Sequence, residues 1–221
     1  MESFTEIYLR ETRRIVEAID GESVERLAEG LAHVRDRSGR LFILGVGGSA
    51  GHASHAVNDF RKLCGFEAYT PVDNVSELSA RINDDGWETC FSDWLEGSHL
   101  SARDGILVFS VGGGDRERGI STNIVNALDA ARSSGCFIGG VVGRDGGHTG
   151  ALGALYFRDE VLAVLAQAGI FRCHIKRVQQ FFHSPAPAAS PSRAMRICRS
   201  RQLLAERPES FGRHKSSSEQ A

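Results

Sequence analysis

The sequence predicts an α/β fold, a three-layer doubly wound parallel sheet preceded by N-terminal helices. Three short apolar runs carry this prediction: "LFILGV", "GILVFSV" and "CFIGGVVG". Each run ends in glycine or a small polar residue, and a helix-compatible stretch follows each. Short unbroken apolar strands that alternate with helices are typical of a parallel sheet covered on both faces. Ligands of such sheets bind outside the carboxyl ends of the strands.

The segment 3–37 precedes the first strand and predicts two amphipathic helices. Apolar residues recur through it at helical spacing, and the pattern breaks near Asp20 and Gly21. This periodicity is that of helices with one apolar face.

The chain changes character toward its C-terminal end. An apolar helical pattern runs over about 151–183, and four of the five prolines follow it, at Pro185, Pro187, Pro191 and Pro208. Few large apolar residues accompany these prolines, as is typical of segments that cannot form a packed core. We therefore predict one domain over 1–183 and a disordered or diverged tail over 184–221.

Composition narrows the class of protein. The formal net charge is −2, which favours neither nucleic acid nor an anionic membrane as a partner. No apolar run approaches the roughly 18–20 residues of a membrane span, and the charged N-terminus lacks a signal peptide core. The five cysteines are scattered without a C-x-x-C pair, which fits a reducing compartment. We expect a cytoplasmic protein that binds neither membrane nor nucleic acid.

The first strand runs into the loop "GVGGSAG", which predicts an anion site. Glycine permits tight turning, and the first N–H groups of the next helix can bind an anion together with the Ser49 hydroxyl. An ordinary β-to-α turn is the alternative. Gly45, Gly47 and Ala50 also match the dinucleotide fingerprint G-x-G-x-x-A. The acidic residue expected about 20 positions later should end a strand, but Glu67 begins one, so NAD-dependent oxidoreduction is a weaker alternative.

A second loop, within "FSVGGGDRERGISTNIVNALDAAR", leaves its strand at Ser110 and enters a helix near Ser121. Two strand ends therefore offer a serine together with backbone donors. A single nicotinamide site does not need both. A phosphorylated sugar, held by its phosphate and its hydroxyls, fits two such loops better.

These residues resemble the SIS (sugar isomerase) domain family, and most closely its phosphoheptose isomerase branch. The resemblance covers about residues 35–150 and rests on four ordered motifs: "GVGGSAGHASHAVNDF", "DNVSELSARINDDGW", the serine loop and "VVGRDGG". It implies a flavodoxin-like fold and conversion of sedoheptulose 7-phosphate to a heptose 7-phosphate without an organic cofactor. It also implies a homotetramer built through the N-terminal helices, with active sites between subunits.

The resemblance implies a set of substrate-binding residues, namely Gly47, Gly48, Ser49, Asn83, Asp84, Ser110 and Ser121. The serine loop departs from the family pattern S-T-S-G-x-S, because Val111 and Gly112 replace its middle and a longer "GGDRERGI" is inserted. Arg116 and Arg118 could supply the charge lost with the hydroxyls. The alternative is that both arginines are solvated loop residues.

His55 and Asp59 stand four residues apart and therefore share one helix face. Aldose–ketose isomerisation needs a base that moves a proton between adjacent carbons through an enediol. The family has His and Glu at these positions, and in some members both bind zinc. The resemblance thus implies that Asp59 is the catalytic base with His55 beside it, and that zinc is a candidate metal for the pair. A solvated helix face is the alternative.

The last helix departs furthest from the family, which carries Gln or Glu followed eight residues later by a catalytic His. In "GIFRCHIKRVQQFFHS" no Gln or Glu stands eight residues before His174 or His183. His174 is a substitute catalytic candidate, although a packing or surface role fits it equally. A diverged or frameshifted C-terminus would explain the difference. Two functions stay open: a sugar-phosphate isomerase, and a non-catalytic phosphosugar-binding or regulatory SIS protein.

Overall fold

The structure, a computed structural model, describes residues 3–152. Within this range the chain forms four strands and seven helices, which are, in order, α1 Phe4–Glu17, α2 Gly21–Asp36, β1 Arg40–Gly45, α3 Gly48–Cys64, β2 Glu67–Tyr69, α4 Val75–Asp84, α5 Cys90–Gly97, β3 Gly105–Ser110, α6 Thr122–Ser134, β4 Phe137–Val142 and α7 Gly147–Ala151. None of these helices is long and apolar enough to cross a membrane. The predicted tail over 184–221 lies outside the described residues, and so does His174 with the helical pattern predicted around it.

The four strands form one parallel sheet in the order β2-β1-β3-β4. The order reverses between β1 and β3, which is the switch point where doubly wound sheets bind ligands. Gly45 pairs with Phe109, and Ser110 pairs with Val142, so β1, β3 and β4 end at the same edge. The predicted doubly wound parallel sheet is confirmed.

Helices cover both faces of the sheet. On one face, α2 and α3 contribute the core residues Leu27, Leu31, Val34, Ala53, Ala56 and Phe60. On the other face, α5 and α6 contribute Phe91, Leu95, Ile124 and Leu128. Because both faces are covered, the strands are apolar at successive positions, and β3 is buried along its whole length. The three-layer prediction is confirmed.

The predicted break near Asp20 separates the two N-terminal helices. Ser3 caps α1 in a capping box with Glu6, and Asp20 caps α2. The two helices differ in what they bury. Helix α2 packs on the sheet, whereas Ile15 is the single buried residue of α1 and Phe4 is 81% exposed. The apolar face of α1 is therefore largely uncovered in the described chain.

The amino ends of the two central strands are tied together by Arg40 and Asp104. The Asp104 carboxylate accepts hydrogen bonds from the Arg40 backbone N at 2.9 Å and from its Nη2 at 2.8 Å. Ser101 donates to the same carboxylate through its N and its Oγ. Burial alone would raise the pKa of Asp104, but these hydrogen bonds outweigh it and lower that pKa. This anchor lies at the sheet edge opposite the strand ends that carry the loops.

Candidate active site

Helices α3 and α6 begin at the carboxyl edge of the sheet without a hydrogen bond from an N-cap side chain, as does the short α7. Helix α3 follows β1, and α6 follows the loop from β3. Within the first turn of α6, Asn123 Oδ1 accepts from Ile124 N at 2.9 Å. Ser3, Asp20 and Asn74 provide such caps for α1, α2 and α4.

The first N–H groups of a helix carry its positive dipole end. Carbonyl oxygens already accept from Ser49 N, Ala50 N and Ile124 N, so Gly48 N, Thr122 N and Asn123 N are the first-turn donors left for a ligand within the described residues. Both helix starts can therefore bind an anion.

Glycine at the end of β1 allows α3 to begin against the strand. A Cβ on Gly45 would lie 2.3 Å from the Ser49 carbonyl oxygen, a distance that real side chains do not tolerate. Gly47 stands at the N-cap position, Gly48 begins the helix, and Ser49 is only 4% exposed in its first turn. The three predicted substrate-binding residues Gly47, Gly48 and Ser49 thus lie at the uncapped start of α3.

The serine loop joins β3 to α6, and its two predicted serines have different surroundings. Ser110 is buried at the end of β3, and its Oγ accepts a hydrogen bond from Gly113 N at 3.0 Å. Ser121 is the N-cap residue of α6 with a left-handed φ of 51°. Ser110 therefore stabilises the turn, while the Ser121 hydroxyl lies beside the open start of α6.

The insertion in the serine loop is closed by backbone hydrogen bonds, and its two arginines lie beside carboxylates. Asp115 and Ile120 exchange two backbone hydrogen bonds of 2.9 Å, which close the insertion into a narrow loop. Arg116 forms an ion pair with Asp129 of α6, and Arg118 Nε lies 3.6 Å from an Asp115 oxygen. Both arginines that the sequence offered as replacements for the lost hydroxyls thus have a carboxylate partner already.

The loop after β4 packs directly on the serine loop. A Cβ on Gly113 would lie 1.9 Å from the Gly146 carbonyl oxygen, so the two backbones touch. His148 N donates to Gly114 O at 2.8 Å, and Thr149 N donates to Gly113 O at 3.0 Å. The adjoining residue Arg144 has a left-handed φ of 53°. The sequence alone singles out the motif "VVGRDGG" but assigns Arg144 no role.

His55 and Asp59 face each other on α3, as their spacing predicts. The His55 Nε2 lies 3.3 Å from Asp59 Oδ2, and the side chains are 65% and 16% exposed. Asn58 Nδ2 donates to the other Asp59 oxygen at 3.3 Å. One turn earlier, His52 Nδ1 is enclosed and has no hydrogen-bond partner among the described residues. The carboxylate is therefore sheltered, and the imidazole is open to solvent.

The His55–Asp59 pair lies well along α3 from the loop that precedes the helix. At a rise of about 1.5 Å per residue, the Asp59 Cα is about 15 Å from the Ser49 Cα. A ligand that touches both positions in one subunit has to run along several turns of the helix.

Asn83 and Asp84 form a separate cluster at the end of α4. Both are exposed, and Asn83 Nδ2 donates to Asp84 Oδ1 at 2.7 Å. Neither hydrogen-bonds to the glycine loop or to the serine loop within residues 3–152. The structure therefore brings the loops together at one edge but leaves Asn83 and Asp84 with each other. The remaining predicted site residue, His174, lies outside the described residues.

The donor set at His55 and Asp59 is short of a complete zinc site. Catalytic zinc ions take three protein ligands, commonly His, Cys, Asp or Glu. In the part of the chain that the structure describes, no group of three or more such residues is close enough to hold a metal ion. These residues alone therefore do not fit zinc.

Comparisons with known proteins identify related sequences and a shared fold. No family model matches the sequence. The phosphoheptose isomerase of Trichlorobacter lovleyi is 31% identical over 160 residues, which cover 69% of this chain and 78% of that protein. The phosphoheptose isomerase of Geobacter sulfurreducens is 33% identical over 147 residues, 63% of this chain and 74% of that protein. The solved phosphoheptose isomerase of Neisseria gonorrhoeae shares the fold, with a TM-score of 0.67 at 21% identity over 78% of this chain and 93% of that one.

Proposed function

The chain belongs to the phosphoheptose isomerase family, and from this premise we propose that it interconverts sedoheptulose 7-phosphate and a heptose 7-phosphate. The main support for the proposal is that one helix, α3, carries both a candidate anion site and a candidate base. Helix α3 begins uncapped behind a glycine loop and carries the His55–Asp59 pair on its side. An anion site and a base are the two elements that isomerisation of a sugar phosphate requires.

The phosphate would bind at the carboxyl edge of the sheet. Ser49, Ser121 and the backbone N–H groups at the starts of α3 and α6 are the donors that we assign to it. Because both helices direct their positive dipole ends toward this edge, a dianionic phosphate is favoured there over a neutral sugar. Gly47 and Gly48 would let the ligand approach the backbone, and Asn83 and Asp84 would contact the sugar hydroxyls.

The isomerisation is a proton transfer and needs no oxidant. We assign the Asp59 carboxylate as the base that takes a proton from C1 of the ketose. The resulting enediol regains a proton at C2, and the carbonyl then stands at C1. His55 Nε2, 3.3 Å from Asp59, would orient the carboxylate and exchange a proton with a sugar oxygen. The Asp59 carboxylate is one methylene shorter than the Glu of the family, and a displacement of about 1 Å can lower a rate by about a hundredfold.

Zinc and His174 stay predictions. The zinc prediction at His55 and Asp59 would require at least one further ligand beside these two residues. His174 would serve as the further catalytic group. No step above depends on either.

The tetramer with shared active sites is also part of the proposal. Two observations support it: the stacked side chains of Phe4 and Tyr8 on α1 are 81% and 43% exposed, and the His55 side chain is 65% exposed. An apolar helix face of this kind is suited to a subunit contact. A cytoplasmic location fits the three described cysteines, Cys64, Cys90 and Cys136, which are buried free thiols.

The non-catalytic alternative is not favoured. The relatives described above carry the name of an enzyme. A binding protein also has no need for a sheltered carboxylate beside an exposed imidazole, 3.3 Å apart.

Nuclear magnetic resonance of sedoheptulose 7-phosphate in D₂O tests the proposed activity. The full chain should convert the ketose to an aldose, with deuterium at C2 where the enediol exchanged its proton with solvent. Unphosphorylated sedoheptulose should react far more slowly because it lacks the group that the loops bind. A full chain that leaves the ketose phosphate unchanged, while remaining folded, would refute the isomerase activity.

A further inference from the structure

Two loops leave the sheet side by side at the ends of β3 and β4. Ser110 pairs with Val142 in the parallel register, so Gly112 and Arg144 each stand two residues beyond a paired position. Gly143 N donates to the carbonyl oxygens of Ser110 at 3.3 Å and Val111 at 3.1 Å, which continues the pairing past the strands. The register therefore brings Arg144 to the middle of the serine loop.

The Arg144 side chain lies over Gly112. A Cβ built on Gly112 would be 3.6 Å from Arg144 Nη1 and 3.7 Å from its Cδ. The backbone of Arg144 is left-handed, with φ 53°, a conformation that costs free energy and persists only where the surrounding structure fixes it. The close packing of this loop on the serine loop is what fixes it here.

Arg144 differs from Arg116 and Arg118 in that no carboxylate of residues 3–152 forms an ion pair with it. It is exposed and has no hydrogen bond or ion pair with any residue of 3–152. Arg116 and Arg118, by contrast, are next to the carboxylates of Asp129 and Asp115. Among the described arginines of these two loops, Arg144 is thus the one whose guanidinium has no carboxylate partner.

The middle of the serine loop is poor in side-chain donors. Val111 and Gly112 offer no hydroxyl, and the Ser110 hydroxyl is buried at the end of β3, where its Oγ accepts from Gly113 N. A guanidinium presents several N–H donors in a fork that matches phosphate oxygens, and these charge-assisted bonds are the strong ones. We propose that Arg144 binds the phosphate group of the sugar phosphate, in place of the donors that Val111 and Gly112 lack. This inference rests on the proposed function, since it names a phosphate ligand of the same site.

Calorimetric titration of the full chain with sedoheptulose 7-phosphate tests the inference. Arg144→Gln should weaken binding about tenfold or more, the loss expected for a hydrogen bond to a charged group. The affinity of Arg144→Lys should lie between those of the parent and Arg144→Gln, because lysine keeps the positive charge but lacks the paired N–H donors of the guanidinium. Arg118→Gln is the matched control, an exposed arginine of the neighbouring loop, and should bind like the parent. In turnover, Arg144→Gln should raise KM more than it lowers kcat.

The results of this titration distinguish a failure of the Arg144 inference from a failure of the proposed isomerase activity. Equal affinity of Arg144→Gln, Arg118→Gln and the parent would identify Arg144 as a solvated loop residue and overturn the inference, even if the parent isomerises the sugar. A parent that binds the sugar phosphate in an Arg144-dependent way without turnover would support the inference and refute the isomerase. If Arg144→Gln fails to fold, an Arg144→Lys variant that binds as tightly as the parent overturns the guanidinium role. A parent without affinity for the sugar phosphate overturns both.

Discussion

On α3 the imidazole of His55 stands 3.3 Å from the carboxylate of Asp59, one side chain open to solvent and the other mostly covered. The covered member is the one that we propose as the base, and the open member is accessible from solvent. Because Asp59 lies about 15 Å along α3 from Ser49, we expect that phosphate binding and proton transfer can be perturbed separately.

The phosphate site should respond to its two serines. Ser49→Ala combined with Ser121→Ala should lower the affinity for sedoheptulose 7-phosphate about tenfold or more, since each change removes a hydroxyl beside an uncapped helix start. Ser133→Ala is the matched control, because Ser133 lies at the far end of α6, and its Oγ donates to Asp129 O. Calorimetry that finds the double variant equal to the control would place the phosphate elsewhere.

The uncovered face of α1 should hold subunits together. Light scattering on the full chain at micromolar concentration should report a tetramer, and Phe4→Glu with Tyr8→Glu should reduce its mass, because charges replace two stacked, exposed apolar side chains on one face. Arg13→Glu is the control, since its position on the helix is turned well away from both Phe4 and Tyr8. A parent monomer, or a tetramer that survives the double change, would argue against this contact.

The Arg40–Asp104 anchor should contribute to stability. Asp104→Asn should lower the free energy of unfolding by about 3 kcal/mol, because it leaves Arg40 without its charge partner. The Asp104 side chain is only 3% exposed, so water cannot readily take its place. Asp36→Asn is the control: Asp36 pairs with Arg35, but its side chain is 65% exposed, so a change within about 0.5 kcal/mol is expected. Urea unfolding measures the stability of both variants. Equal losses of unfolding free energy would contradict the larger contribution predicted for the buried pair.

The same anchor predicts a pH dependence. The pKa of folded Asp104 is lowered, so its contribution to stability is present above the unfolded value of about 4 and is lost as the pH falls through the lowered value. The Tm difference between the parent and Asp104→Asn should therefore narrow as the pH falls below about 4. A difference that widens in acid would contradict the direction of the shift.

Local patterns of the sequence predicted the sheet and the loops well. The apolar runs correspond to β1, β3 and β4, and the helix expected near Ser121 begins at Thr122. The stretch "EAYTPV" yields only the three-residue β2, which ends before Pro71, a residue without an N–H to donate.

Long-range pairing explains what the sequence did not reveal. The pairing of Arg116 with Asp129 depends on how the insertion folds back on α6, and the position of Arg144 depends on the register between β3 and β4. The exposed cluster of Asn83 and Asp84 likewise reflects where α4 packs. None of these relationships is encoded in a local periodicity.

The central claim is that Asp59 is the base of a sugar-phosphate isomerase, and the measurement that tests it most directly is the turnover of Asp59→Asn. The amide keeps the shape of the side chain and removes its basicity. With sedoheptulose 7-phosphate, the account predicts that kcat falls to background while calorimetry finds the sugar phosphate still bound, because the interaction lost is made in the transition state. Turnover by Asp59→Asn equal to that of the parent would contradict it.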